Sequence, residues 1–200
     1  GRKAILGRES EKGQMLSYQG YRLGHRSIAS STNERTMIAS ILPPRVFFGH
    51  SINASREDLT GKDLIFITAL LNSYVFDYGL RSSISANLTM FFVYQLPVPR
   101  LTESDTEFHP IVNRAARLIC TTPEFDDLAR EVGLNSHKDG ATDSVERAKL
   151  RAELDGLVAH LYGLTEEEFS YVLTTFPLVE DSVKSTALQA YRDVKKGLIK

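Results

Sequence analysis

The sequence predicts an α+β fold, with a mixed β-sheet and a buried helix first and a helical subdomain after them. Short apolar segments separated by polar corners fill residues 20–56, and an almost uninterrupted apolar segment follows at 60–78. From Glu107 onward, apolar residues recur at helical spacing. Pro97 and Pro99 separate the two halves, so we place a boundary near Arg100, between an α+β subdomain (1–100) and a helical support subdomain (101–200).

The first predicted strand covers residues 21–28. Side chains alternate along a strand, so Arg22 and Arg26 share the face opposite Tyr21, Leu23 and His25, with their guanidinium groups roughly 13 Å apart. A second, buried strand is predicted at 36–42 and ends at a double proline. Residues 45–48 start a further extended segment, followed by a polar tail at 50–56.

The apolar segment at 60–78 predicts one long helix with Thr60 as its N-cap and Gly79 at its end. Asn72 and Ser73 lie inside this helix and need internal hydrogen-bond partners. Residues 88–94 are rich in aromatic and branched side chains and predict another strand.

The second half predicts helices at 108–119 and 123–132, then helices that begin at Asp143, Thr165 and Ser182. Asp143 and Thr165 each begin a capping-box pattern, and Gly163 is placed as the left-handed residue after the longest helix.

Composition excludes several classes of protein. A single cysteine, Cys120, excludes an internal disulfide framework and a cysteine-based zinc site, and its apolar surroundings predict an inert thiol. No apolar run is long enough to span a bilayer and no signal peptide is visible, so we expect a cytoplasmic protein without a membrane partner. Charge is uneven: residues 1–100 carry 12 Lys and Arg against 7 Asp and Glu (+5), and residues 101–200 carry 12 against 18 (−6).

No catalytic or metal-binding pattern is evident. The five histidines are scattered, and there is no glycine-rich phosphate loop. Polar and cationic side chains in residues 22–87 remain, and they are of the types that bind DNA phosphates and base edges. The candidate DNA-binding residues are Arg22, Arg26, Thr32, Asn33, Arg35, Arg45, His50, Asn53, Arg81 and Asn87. Ordinary solvated or ion-paired arginines are the alternative explanation for this set.

Several ordered motifs resemble one family. Arg26-Ser27-Ile28-Ala29, Thr32-Asn33-Glu34-Arg35-Thr36 and Ile41-Leu42-Pro43 are similar to a block found in adenine-specific DNA methyltransferases of type II restriction–modification systems, in which both activities are fused. Leu96-Pro97-Val98-Pro99 and Leu154-Asp155-Gly156-Leu157 match the same region in the same order. The resemblance extends over roughly residues 20–195.

The resemblance implies a target-recognition region that grips duplex DNA and helps present the adenine that is flipped out for methylation. It also implies that S-adenosylmethionine binds in a preceding catalytic domain of the same chain, which would be the second partner. The catalytic Asn-Pro-Pro-Tyr-type motif is absent here, and the sequence starts without methionine. We therefore expect a fragment that lacks the catalytic domain and needs no cofactor or metal itself.

Two alternatives stay open. Residues shared across a specificity region cannot encode different specificities, so Arg26, Thr32, Asn33 and Arg35 would be scaffold or phosphate contacts. Base reading would then fall to residues 45–56 or 81–87. The chain could instead be a protein-interaction or assembly domain that docks the catalytic domain or another subunit.

Overall fold

A three-stranded antiparallel sheet forms the first part of the fold. The computed structural model describes residues 16–30, 33–55, 59–82, 88 and 90–200, apart from the side chain of Met90. Strands β1 (Arg22–Arg26), β2 (Ala39–Leu42) and β3 (Ile52–Ala54) are ordered β2-β1-β3, so β1 is central. Both pairings are antiparallel, with Leu23 opposite Ile41 and Arg26 opposite Ile52. The α+β class is confirmed, although the described strands form an antiparallel rather than a mixed sheet.

The predicted extended segment at 45–48 is not a strand, and the third strand lies instead in the segment that we predicted to be a polar tail. Arg45 has a positive φ of 64°, which strand residues do not adopt. The chain turns at Pro44–Arg45 and pairs with β1 only from Ile52.

The single long helix predicted at 60–78 is two helices, α1 (Gly61–Leu71) and α2 (Tyr74–Arg81). Thr60 caps α1 as predicted, and its side chain accepts the N–H of Asp63 at 3.1 Å. The helix breaks because Asn72 turns toward β2, where its amide donates to the Ala39 carbonyl (2.9 Å) and accepts the Ala39 N–H (3.1 Å). Ser73 then caps α2, so Gly79 lies inside that helix and does not close it.

The prediction of a strand at 88–94 is wrong, because residues Met90–Gln95 form helix α3. Phe92, Val93 and Leu96 pack against a cluster that includes Phe76 and Leu80. Their i, i+1, i+4 spacing suits one face of a helix, so tertiary packing overrides the strand preference of the aromatic residues.

The second half is helical, as predicted. Its helices are α4 (Phe108–Ile119), α5 (Asp126–Glu131), α6 (Ser144–Leu161), α7 (Glu166–Thr174) and α8 (Asp181–Lys195). Short 3-10 helices lie at Ser17–Gln19, Pro123–Phe125 and His137–Asp139. Asp143 caps α6 by accepting two backbone N–H groups, Thr165 forms a reciprocal capping box, and Gly163 has the left-handed φ of 70°.

The main hydrophobic core contains residues from both sides of Arg100. Ile41 and Phe66 from the first half share it with Phe108 and Val158 from the second, and the Phe66 and Phe108 rings lie 5.1 Å apart. A second cluster joins Tyr74 to residues of α7 and α8. The sheet and the helices are therefore positioned by shared packing.

Candidate nucleic-acid interface

The outer face of the sheet is built around Gly24. A Cβ atom at Gly24 would lie 2.8 Å from Cδ1 of Leu42 and 3.3 Å from Cγ2 of Ile52, so these two side chains close over the strand. Ile41 on the opposite face is buried in the main core. Alternation places Arg22 and Arg26 on the outer face, one on each side of Gly24, as the sequence predicts.

Arg22 anchors the loop at residues 43–51. Its Nη2 donates to the carbonyl of Val46 at 2.6 Å, and its guanidinium carbon lies 5.2 Å from the centre of the Phe48 ring. Arg22 is 8% exposed, and burial lowers its pKa from the ordinary arginine value. Its Nε has no acceptor in the part of the chain that the structure describes. Arg22 is thus mainly a positioning residue for this loop.

Arg26, at the other end of the strand, has the spare donors. The residue is partly exposed, yet its Nε and Nη2 atoms are buried and find no acceptor among the described residues. Buried polar groups normally have a partner, because leaving one unpaired costs about 1–3 kcal/mol and more for a charged group. In this conformation an external oxygen cannot reach Nε and Nη2, so the Arg26 side chain must turn outward before these two donors can bind an external ligand.

The 43–51 loop is fixed to its surroundings at several points besides Arg22. Ser27 Oγ donates to the His50 carbonyl at 3.0 Å, and the Ser27 N–H donates to Ser51 O at 2.8 Å. Near the other end, the Arg45 N–H donates to the Tyr18 carbonyl at 2.6 Å. The side chains of Arg45 and His50 are exposed, so this loop presents both to solvent.

Arg35 is engaged inside the protein. Its Nε donates to Asp77 Oδ2 at 3.0 Å, Nη2 donates to the Asn72 carbonyl, and the guanidinium carbon lies 4.1 Å from the Tyr74 ring centre. The Asp77 carboxylate is fully buried and also accepts two backbone N–H groups that follow Arg35. These contacts hold the connection between β1 and β2 against α2.

Arg81 also bonds within the chain. Its Nη1 donates to the Thr175 carbonyl at 3.4 Å, Nη2 donates to the Asn33 carbonyl, and the guanidinium carbon lies 4.4 Å from the Phe176 ring centre. Burial lowers the pKa of Arg81. The structure thus brings Arg35 and Arg81 together around Phe176, away from the Arg22 and Arg26 pair.

The remaining candidates fall into three groups. Asn33 contributes its carbonyl to Arg81, and Asn53 donates from Nδ2 to the Leu88 carbonyl at 3.2 Å. His50 is exposed on the loop. Thr32 and Asn87 lie outside the described residues.

Sequence reasoning missed Asp77 and Phe47. Asp77 accepts the hydrogen bonds of the network around Arg35. A carboxylate within an otherwise apolar helical segment was the feature of the sequence that could have indicated a buried ion pair. Phe47 is 76% exposed and its ring lies 5.0 Å from that of Tyr18. The double proline before it was the signal that residues 45–48 form a loop rather than a strand.

A cleft of about 750 Å³ lies between β2, α6 and α8, with Arg35 in its lining. It is separate from the outer face of the sheet that carries Arg22 and Arg26, which we call the arginine face. Asp155 lines it, and Oδ1 of this residue accepts the N–H of Tyr74 at 2.9 Å. Burial raises the pKa of Asp155 to about 6, and the nearby charge of Arg35 opposes part of that rise.

Comparison of the chain with protein-family models, with curated proteins and with solved structures finds no match. The family resemblance carried by the sequence motifs therefore stays a prediction. In the described ranges, no group of three or more His, Cys, Asp or Glu side chains could hold a metal ion. No helix formed by those residues has both the length and the hydropathy needed to cross a membrane.

Proposed function

We propose that this chain binds duplex DNA as the target-recognition region of an adenine-specific DNA methyltransferase of the type II restriction–modification kind, acting in the cytoplasm. The observation that carries the proposal is the partly exposed Arg26, whose Nε and Nη2 have no acceptor among the described residues and would meet a phosphate once the side chain turns outward. A phosphate oxygen is a charged acceptor of the type that arginine binds most strongly.

The charge around Arg26 supports an anionic ligand. Residues 16–55 contain four arginines and a single acidic residue, Glu34. Arg35 is neutralised by Asp77, so Arg22, Arg26 and Arg45 supply the remaining positive charge of this segment. A concentration of positive charge on one face attracts a polyanion and steers its approach.

The fold suggests how this surface would serve a methyltransferase. The outer face of the sheet would hold the DNA backbone through Arg26, with Arg22 fixing the adjacent loop. A backbone grip of this kind sets the register of the duplex and carries little sequence information. The catalytic domain that binds S-adenosylmethionine would then receive the flipped adenine.

Salt-dependent binding tests the proposal. Anisotropy of a labelled duplex would be measured against salt for the wild-type chain, Arg26→Ala and the matched control Arg130→Ala. Arg130 is an exposed arginine of α5, paired with Asp127 in the acidic half. We expect Arg26→Ala to lower affinity and to reduce the slope of log K against log salt by about 1, because one phosphate contact is lost.

Arg130→Ala should leave both affinity and slope unchanged. A wild-type chain that does not bind duplex at low salt contradicts the proposal. Equal losses for Arg26→Ala and Arg130→Ala would show that binding depends on general charge rather than on this face.

A protein-assembly role is the second candidate, and α3 favours it. Phe91 and Tyr94 on this helix are 65% and 77% exposed, and aromatic side chains are enriched at protein interfaces. Light scattering of the chain mixed with the catalytic domain separates the two roles. Tight association together with no DNA binding supports assembly.

A further inference from the structure

The 43–51 loop contains a strained residue. Arg45 has a φ of 64° at the second position of the Pro44–Arg45 turn, and no other non-glycine residue among those described has a positive φ. Glycine or asparagine is the usual residue at such a position, because a Cβ atom crowds the left-handed conformation. Strain at a single residue is typical of functional loops, where the side chain is needed for another reason.

The surrounding contacts hold this conformation without using the Arg45 side chain. The Arg45 N–H donates to the Tyr18 carbonyl, and the centre of the Phe47 ring lies 5.0 Å from that of the Tyr18 ring, with the two planes tilted by 31°. Arg22 holds the Val46 carbonyl between them. Arg45 is exposed, and no hydrogen bond or ion pair of its side chain is found within the described structure.

From this strain and exposure we infer that Arg45 and Phe47 form a tip that reads base edges in duplex DNA; the inference rests on the proposed function. Arginine can pair with O6 and N7 of guanine through two parallel hydrogen bonds. An exposed phenylalanine beside it can contact a thymine methyl group or wedge against a base step.

The tip and Arg26 would then have different roles. Arg26 lies on the sheet face with Nε and Nη2 buried and unpaired, and it would bind a phosphate oxygen by turning outward. Arg45 and Phe47 project from an anchored loop, and a preorganised projection can enter a groove with little loss of conformational freedom. Arg26 would then supply most of the affinity for DNA, and the Arg45–Phe47 tip would supply the preference for particular sequences.

A protein partner would also explain an exposed phenylalanine, but the neighbouring side chains favour DNA. Arg45, Phe47 and His50 are all exposed on one short loop, and residues 43–51 contain no acidic residue. A cationic tip with one aromatic residue matches a DNA groove, whose phosphates line both edges.

The experiment selects sequences from a pool of random duplexes. The wild-type chain, Arg45→Lys, Arg45→Gly and Phe47→Ala would each be used for selection, and the enriched sequences compared. Lysine keeps the charge but cannot form the paired hydrogen bonds of arginine. Glycine relieves the left-handed backbone, so the melting temperature of Arg45→Gly should be unchanged or higher, which excludes misfolding as a cause.

We expect the wild-type chain to enrich a defined motif. Arg45→Lys should bind the pool with similar affinity and lose about tenfold in preference at one or more positions of the motif. Phe47→Ala should weaken preference at a neighbouring position. Enrichment of the wild-type motif by all three variants overturns the inference, as does wild-type binding without any preference. A wild-type chain that retains no duplex overturns the proposed function itself.

Discussion

The buried Asp77 carboxylate accepts a hydrogen bond from Arg35 Nε at 3.0 Å, and this ion pair ties the chain between β1 and β2 to helix α2. Asp77 also accepts the N–H groups of Thr36 at 3.0 Å and Met37 at 3.4 Å. The motif residue Arg35 thus has a structural role that is independent of any DNA contact.

Asp77→Ala should destabilise the protein strongly. Removing the carboxylate leaves the positive charge of the partly buried Arg35 unpaired and removes the acceptor of Arg35 Nε and of two backbone N–H groups, which costs about 3–5 kcal/mol for a buried pair. Urea unfolding measures the loss. The control is Asp181→Ala, which removes a carboxylate that is 97% exposed and pairs with Lys184, and it should change the midpoint little. Similar midpoints for the two variants would contradict a structural role for the Arg35–Asp77 pair.

Arg35→Ala should therefore lower stability as well as any DNA affinity. A binding defect in that variant alone says little about the interface. Arg26 is the better probe, because no hydrogen bond from its guanidinium Nε or Nη2 to the described residues would be lost.

Asp155 should make stability depend on pH. Burial raises its folded-state pKa from 3.8 to about 6, so the charged form is disfavoured in the folded protein. The folded state binds the proton more tightly than the unfolded state does, so stability falls as pH rises from about 4 through 6. The difference between the two pKa values corresponds to about 3 kcal/mol.

Asp155→Asn should remove most of this dependence, because its amide oxygen can still accept the Tyr74 N–H without carrying a charge. Unfolding free energies of the two proteins, measured between pH 4 and pH 8, test the effect. We expect the variant to be more stable than the wild type at pH 8. Parallel pH profiles would mean that Asp155 has an ordinary pKa in the folded protein.

Gly156→Ala should push helices α6 and α8 apart. A Cβ atom there would lie 2.7 Å from the backbone N of Tyr191 and 2.8 Å from the carbonyl carbon of Ala190. Backbone atoms cannot move aside locally, so we expect about 1–3 kcal/mol of destabilisation despite the better helix propensity of alanine.

Gly79→Ala is the matched control for Gly156→Ala, since Gly79 is also helical. Its Cβ atom would meet only the end of the Leu96 side chain, at 3.2 Å, and that side chain can shift. Thermal unfolding should show a lower melting temperature for Gly156→Ala and an unchanged or higher one for Gly79→Ala. Equal stability of Gly156→Ala and the wild type would rule out the close approach of the two helices.

The helical half could be predicted well from sequence, because its signals are local. The Asp143 and Thr165 side chains cap helices by accepting backbone N–H groups only two or three residues further on, and Gly163 takes the left-handed conformation that ends α6. Such rules hold whatever the helix packs against.

The first half was harder because its structure depends on distant contacts. Asn72 breaks the predicted helix by bonding to Ala39, and α3 forms because Phe92 and Val93 pack on the Phe76 cluster. That Arg22 and Arg26 share one face of the sheet could be predicted from the alternation of side chains along a strand. The ion pair between Arg35 and Asp77 could not be predicted in this way, because the two residues are 42 positions apart in the sequence.

Backbone hydrogen exchange with and without duplex DNA tests the central claim most directly, because it reports on every segment at once. We predict added protection in β1 and in the 43–51 loop when DNA is present, and no change in α8 (Asp181–Lys195). Protection confined to α3, or no change in β1 and the loop when the duplex is bound, would contradict DNA binding by the arginine face.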